Sequence, residues 1–185
     1  MANIFRVLER DHGEVGRLLA QLQADSPAPT MDEAGRIHLV EHLVISESRH
    51  EAAEEMVFWP AVRKRVRGGD ELADKALAQE REGKYILDAL RVAATNASRS
   101  ELVEDFARSA RAHVAFEEEQ VWPALRHATT HVAWWTMGLR FSFASKFGPT
   151  RPHPRGPDRP VGLLTRGMVA ATLDHARDRM ARRHA

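Results

Sequence analysis

The 185-residue sequence contains no cysteine. Disulfides, thiolate metal sites and cysteine nucleophiles are therefore excluded, and any metal must be held by histidine, aspartate or glutamate. The same absence sets the expectation of a cytoplasmic protein. No stretch approaches the roughly 18 uninterrupted apolar residues of a membrane span, and no apolar run follows a charged start, so neither a span nor a signal peptide is expected. Period-two alternation is also missing, which argues against strands. A dominant charge of one sign is lacking: the net charge is +1. That total hides an asymmetry, because residues 151–185 carry eight Arg against Asp158, Asp174 and Asp178, a net of +5, which leaves −4 on residues 1–150. Aromatic residues make up only 6% of the chain. A basic tail without interleaved aromatics or a recognition motif predicts no nucleic-acid partner.

What is present is helical periodicity. Apolar residues recur three and four apart almost everywhere before residue 147, as in Val7/Leu8, Val15, Leu18/Leu19 and Leu22, and predict an all-α body. Asn3 can cap a helix from about Ile4 to Ala24. Thr30 with Glu33 forms a capping-box pattern for a long second helix reaching Trp59, where Pro60 is expected to kink or break it. Asp70 can cap a third helix running to about Ala94. Ser98 with Glu101 opens a fourth, which passes Trp122-Pro123 and resumes, bent, through Phe147. Short polar turns between four such helices predict an up-down-up-down bundle over residues 1–147. Residues 148–160 hold five prolines and two glycines and read as a linker. Residues 161–185 read as a short basic amphipathic helix.

The most informative feature is an internal repeat, HEAAEEMVFWPAVR at 50–63 and HVAFEEEQVWPALR at 113–126. Each copy sets a histidine and a glutamate four apart, His50 with Glu54 and His113 with Glu117, on one otherwise apolar helix face. A carboxylate on a core face is costly unless something neutralises it, and a metal does so directly. Two imidazoles and two carboxylates, the latter able to bridge, suit a pair of iron or manganese ions in a bundle core. One motif per half points to one metal per half. His12 shares a face with Leu8, Val15 and Leu19 and adds a ligand to the first half. Superposing residues 18–22 on residues 86–90 sets position 12 on Glu80, the corresponding ligand of the second half. Glu118 is an alternative to Glu117, and Tyr85, the single tyrosine, is an alternative on the third helix. Glu55, Glu118 and Glu119 otherwise read as a solvated acidic face. His38, His42, His127 and His131 lie two or more turns from the motifs and read as surface or packing residues, and Trp134-Trp135 with Phe141, Phe143 and Phe147 as core or dimer packing.

These residues resemble the hemerythrin-like, HHE cation-binding family: His12 for the first helix, His50-x-x-x-Glu54 for the second, His113-x-x-x-Glu117 for the fourth, and a Trp-Pro after each motif. The resemblance covers about residues 3–147, and the Pro-rich tail with a terminal helix is similar to that of actinobacterial members. It implies two iron ions joined by an oxo or hydroxo group, bridged by Glu54 and Glu117, with His12 and His50 on one iron and His113 and Glu80 on the other. Members that carry oxygen reversibly supply two histidines from the third helix, four apart, where this chain has Glu80 and Lys84. The resemblance therefore implies redox chemistry on hydrogen peroxide or nitric oxide, with O2 also a ligand, rather than oxygen carriage. Oxygen donors stabilise ferric iron, and a missing ligand is expected to leave a position open. The competing expectation is a sensor or carrier of O2, nitric oxide or iron. The chain is expected to be a monomer or homodimer.

Overall fold

The computed structural model describes residues 3–24, 32–154, 172–174 and 177. Helices α1 (Ile4–Gln23), α2 (Glu33–Ala53), α3 (Trp59–Arg65), α4 (Gly69–Val92), α5 (Asn96–Phe116), α6 (Trp122–Ala128) and α7 (His131–Lys146) follow one another, with no strand among the described residues. A π-turn, Glu54–Phe58, joins α2 to α3, and a second, Glu117–Val121, joins α5 to α6. The bundle thus has four rods: α1, α2 with α3, α4, and α5 with α6. Helix α7 lies against α1 and α2.

Pro60, expected to kink or break the second rod, does not break it, and the fourth rod resumes past Pro123 as expected. Proline has no N–H, and its ring collides with the carbonyl four residues back. Here the turn ahead of it widens instead, so that the Trp59 N–H donates to the Glu54 carbonyl and the Trp122 N–H to the Glu117 carbonyl, five residues back. Both π-turns begin at the motif glutamates, a position where such turns often mark functional sites. The fourth rod does end early. Thr129 and Thr130 are extended, and Thr130 caps α7 as a separate helix by accepting from the Ala133 N–H.

The caps differ from expectation by a few residues. Asn3 caps α1 as expected, accepting from the Arg6 N–H at 3.1 Å. Asp32 caps α2, Thr95 rather than Ser98 caps α5, and Gly68 precedes α4 in place of Asp70. Gly68 takes a left-handed φ of 72°, and a Cβ on Gly69 would sit 2.2 Å from the Val62 carbonyl oxygen. Gly69→Ala is therefore expected to cost about 3 kcal/mol, seen as a Tm roughly 6–12 °C lower. Gly16→Ala, with nothing within 4 Å of its Cβ, should instead raise stability by up to ~1 kcal/mol.

The interior has two apolar halves. One gathers Ile4, Leu8, Phe58, Trp59, Phe116, Leu125 and Phe141; the other gathers Leu18, Leu22, Leu43, Leu87, Leu90 and Phe106. Between them lies a layer of buried polar groups contributed by all four rods. Among the described residues no helix is long and apolar enough to cross a membrane. Most of the expected linker and terminal helix lies outside the described residues. Residues 172–174 and 177 are helical, and buried Asp174 faces His153 at 3.1 Å.

Candidate metal centre

Each rod delivers side chains to the polar layer because its apolar stripe is interrupted there by one helical turn of His and Glu. His12 comes from α1, His50 and Glu54 from the α2 junction, Glu80 from α4, and His113 and Glu117 from the α5 junction. His12, His50, Glu54 and Glu117 offer ligand atoms all within 4.8 Å of one another, and Glu54, Glu80 and His113 form a second such group. Both motif carboxylates face both groups. Glu54 turns Oε1 to His50 Nε2 at 3.3 Å and Oε2 to His113 at 3.9 Å. Glu117 turns Oε2 to His12 Nε2 at 3.2 Å and Oε1 to His113 at 3.7 Å.

The inner atoms of this set have no hydrogen-bond partner. Nε2 of His12, His50 and His113, both oxygens of Glu54 and of Glu117, and Oε2 of Glu80 are all buried and unsatisfied. Burying so many lone pairs unpaired would cost several kcal/mol. Cations placed among them meet all of them at once. The donor set therefore fits a pair of metal ions, with one oxygen of each motif carboxylate available to either ion.

The outer nitrogens of His12 and His113, in contrast, are held. His12 Nδ1 lies 3.2 Å from Glu118 Oε1, and His113 Nδ1 lies 3.2 Å from Gln79 Oε1. His50 Nδ1 faces Asp11 at 3.7 Å. An acceptor at Nδ1 fixes the tautomer that leaves Nε2 free to ligate. The Trp59 indole N–H donates to Glu80 Oε1 at 2.5 Å, leaving Oε2 for the centre. Trp122 stacks on His12 at 5.6 Å and Trp59 covers His113 at 6.4 Å. The tryptophan of each repeat thus shields a histidine of the opposite half.

The electrostatics show how badly the layer wants positive charge. Burial works to lower the His50 and His113 imidazoles, yet Glu54 raises His50 well above its ordinary range, and Glu117 and Glu54 raise His113 to about 9. Burial pushes Glu54 up, but the facing His50 and His113 hold it far below the usual carboxylate range. Burial, and then the Glu54 charge, raise Glu117. Glu80 is raised well above normal, chiefly by burial and despite Lys84.

Several expectations are sharpened or corrected here. Glu117 is fully buried in the centre, whereas Glu118 sits behind His12 and is not part of either group. Tyr85 is half exposed and belongs to neither group. Glu55 is not on a solvated face: it is buried and paired with Lys84, whose ammonium also lies 3.7 Å from Glu80 and 4.0 Å from Glu51. Lys84, where oxygen-carrying members have a histidine, is thus an internal cation paired with carboxylates. Burial pushes Glu51 up to about 8. Glu47, one turn before His50, was not singled out in the sequence; it is buried, and its carboxyl feels the charges of His50, His113, Glu54 and His12. Its spacing of three and seven from His50 and Glu54 was the available signal. His38 and His42 stack on each other, away from the centre.

Comparison with known proteins agrees with this geometry. The family model described as the hemerythrin HHE cation binding domain matches residues 3–125. An uncharacterised hemerythrin-like protein of Schizosaccharomyces pombe is 28% identical over 135 residues, 72% of this chain and 66% of that protein, so the chain spans just under two thirds of it. The crystal structure of a hemerythrin HHE cation binding domain-containing protein from Mycobacterium kansasii is similar with a TM-score of 0.66, covering 94% of this chain and 99% of that one. At 20% identity, that likeness speaks for the fold.

Proposed function

Because the chain belongs to the hemerythrin HHE cation-binding domain family, we propose that it binds two iron ions between its apolar halves and uses them to consume a small oxidant, hydrogen peroxide or nitric oxide. His12 and His50 would hold one iron and His113 and Glu80 the other, with Glu54 and Glu117 placed to serve both. The observation that carries this reading is the set of buried, unpartnered nitrogen and oxygen atoms converging from four rods. Imidazole with carboxylate suits iron better than calcium or magnesium, which prefer oxygen alone.

Iron bound here supplies one-electron redox steps and a Lewis-acid position for a small ligand. The protein's own groups do the rest. Glu118 and Gln79 orient His12 and His113 through their outer nitrogens, while Trp59, Trp122 and Phe141 wall the layer from water. Three carboxylates, Glu54, Glu80 and Glu117, favour the ferric state. Burial admits only small molecules. The role that follows is oxidative or nitrosative stress defence in the cytoplasm.

Initial rates with peroxide and with nitric oxide test this on protein loaded with iron. Turnover of at least one is expected, and it should disappear in Glu54→Ala. Two irons with neither rate would leave a binding or sensing protein. The Trp59–Glu80 contact gives a finer test: Trp59→Phe keeps the ring but removes the N–H that positions Glu80. One of the two irons should then be held 10- to 100-fold less tightly in chelator competition, with the other unchanged.

A further inference from the structure

Helix α7 carries an apolar ridge on its outer face. Trp135, Leu139, Phe143 and Phe147 recur at intervals of four, with Val132 beside them, and their exposures are 44%, 53%, 69%, 55% and 75%. The opposite face of the same helix is spent on the bundle, through Met137, Phe141 and Ala144. Phe143 and Phe147 pack on each other, ring centroids 4.8 Å apart, so the ridge is preformed rather than a scatter of loose side chains. Taking ~200 Å² for a full aromatic side chain, these five residues leave on the order of 500 Å² uncovered. Patches of that size mark contact surfaces.

We propose that this ridge pairs with the same ridge of a second copy of the chain across a two-fold axis. Three observations select that occupant. The ridge is symmetric about residue 141: a two-fold axis there sets Trp135 against Phe147 of the other copy and Leu139 against Phe143, the self-complementarity that an isologous dimer requires. Rows of side chains four apart interdigitate with like rows at a crossing near −50°. The area is more than half of the roughly 800 Å² per partner of a stable interface, with Thr136, Arg140 and Lys146 placed to form its rim. The charges weigh against the chain's own terminal segment as the cover: helix α7 contains no acidic residue, and residues 151–185 carry +5.

The absence of native cysteine makes the test direct. The 185-residue chain at tens of micromolar should sediment as a dimer, and Leu139→Glu and Phe143→Glu should each sediment as monomers with unchanged helicity and iron content. In single-cysteine variants, position 143 lies about 6 Å along the axis from its mate and position 135 about 18 Å, at ~1.5 Å per residue. Phe143→Cys should therefore oxidise to a disulfide-linked dimer and Trp135→Cys should not. A chain that is monomeric at these concentrations, with the ridge covered by residues 155–185 or by another protein, overturns the proposal. So does a dimer that survives both glutamate substitutions.

Discussion

Glu54→Ala will lose both metal ions, whereas His12→Ala will lose one. Glu54 is fully buried, presents one oxygen to the His50 side and the other to the His113 side, and belongs to both groups of converging ligand atoms. Among the described residues Glu54 alone belongs to both groups, while Glu117 belongs to the first and also faces His113 of the second. Metal analysis of the purified variant should fall from two ions per chain to near none, and Glu54→Gln should behave alike because an amide cannot bridge with two anionic oxygens. His12 faces only the first group, so its variant should retain the second ion. Glu118→Gln should keep both, since an amide oxygen can still accept from His12 Nδ1. Loss of a single ion in Glu54→Ala would contradict the bridging geometry.

Removing the metal will make the stability of the protein strongly dependent on pH. In the metal-free centre His113 is raised to about 9 by Glu117 and Glu54, and His50 is raised as well. A histidine whose folded pKa lies above its unfolded value of about 6.5 contributes stability that is full below 6.5 and is lost as pH rises through the folded value. Glu51, raised to about 8 by burial, acts in the same direction, since its proton must leave a buried carboxyl. His113 puts its loss between about pH 6.5 and 9, and Glu51 puts its own between the ordinary carboxyl value of 4.5 and about 8, so the two overlap above pH 6.5. The depressed Glu54 acts oppositely, with stability lost only as acid protonates it. Metal-free protein should therefore melt progressively lower from pH 6.5 to 9. A bound metal replaces the imidazole protons as the neutralising charge, so the loaded protein should lose much less over that range, keeping only the part due to Glu51, which lies in neither group of ligand atoms. At free metal about 1,000 times the dissociation constant, binding adds ~4 kcal/mol, or about 10 °C in Tm for a chain of this size. The gap should be widest near pH 9 and close in acid, where imidazoles hold protons against the metal. Parallel melting curves of the two forms across this range would contradict the assignment.

The bundle and most of the centre were legible in the sequence because both rest on periodicity. Apolar residues at helical spacing defined the rods, and the 14-residue repeat fixed His50, Glu54, His113 and Glu117 at matching levels. Superposing the halves then led to Glu80, which lies in the second group. What stayed hidden depends on contacts between rods. Trp59-Pro60 read locally as a kink or break and Trp122-Pro123 as a bend, whereas in the packed bundle each follows a π-turn. Cap positions slipped because several Ser, Thr, Asp and Asn residues lie within a few positions of each helix start, each able to cap. Lys84 looked like a vacancy on the third rod, since nothing in its own helix announces Glu55 and Glu51 on α2 as its partners. Glu118 carried the right residue type, yet its contact with His12 spans 106 residues.

The central claim is that two metal ions occupy the layer between the apolar halves. Metal analysis of the purified chain, reconstituted with ferrous iron and desalted, tests it most directly. Two irons per chain are expected, falling to one in His12→Ala and to none in Glu54→Ala. Wild-type protein that retains no stoichiometric iron would contradict it.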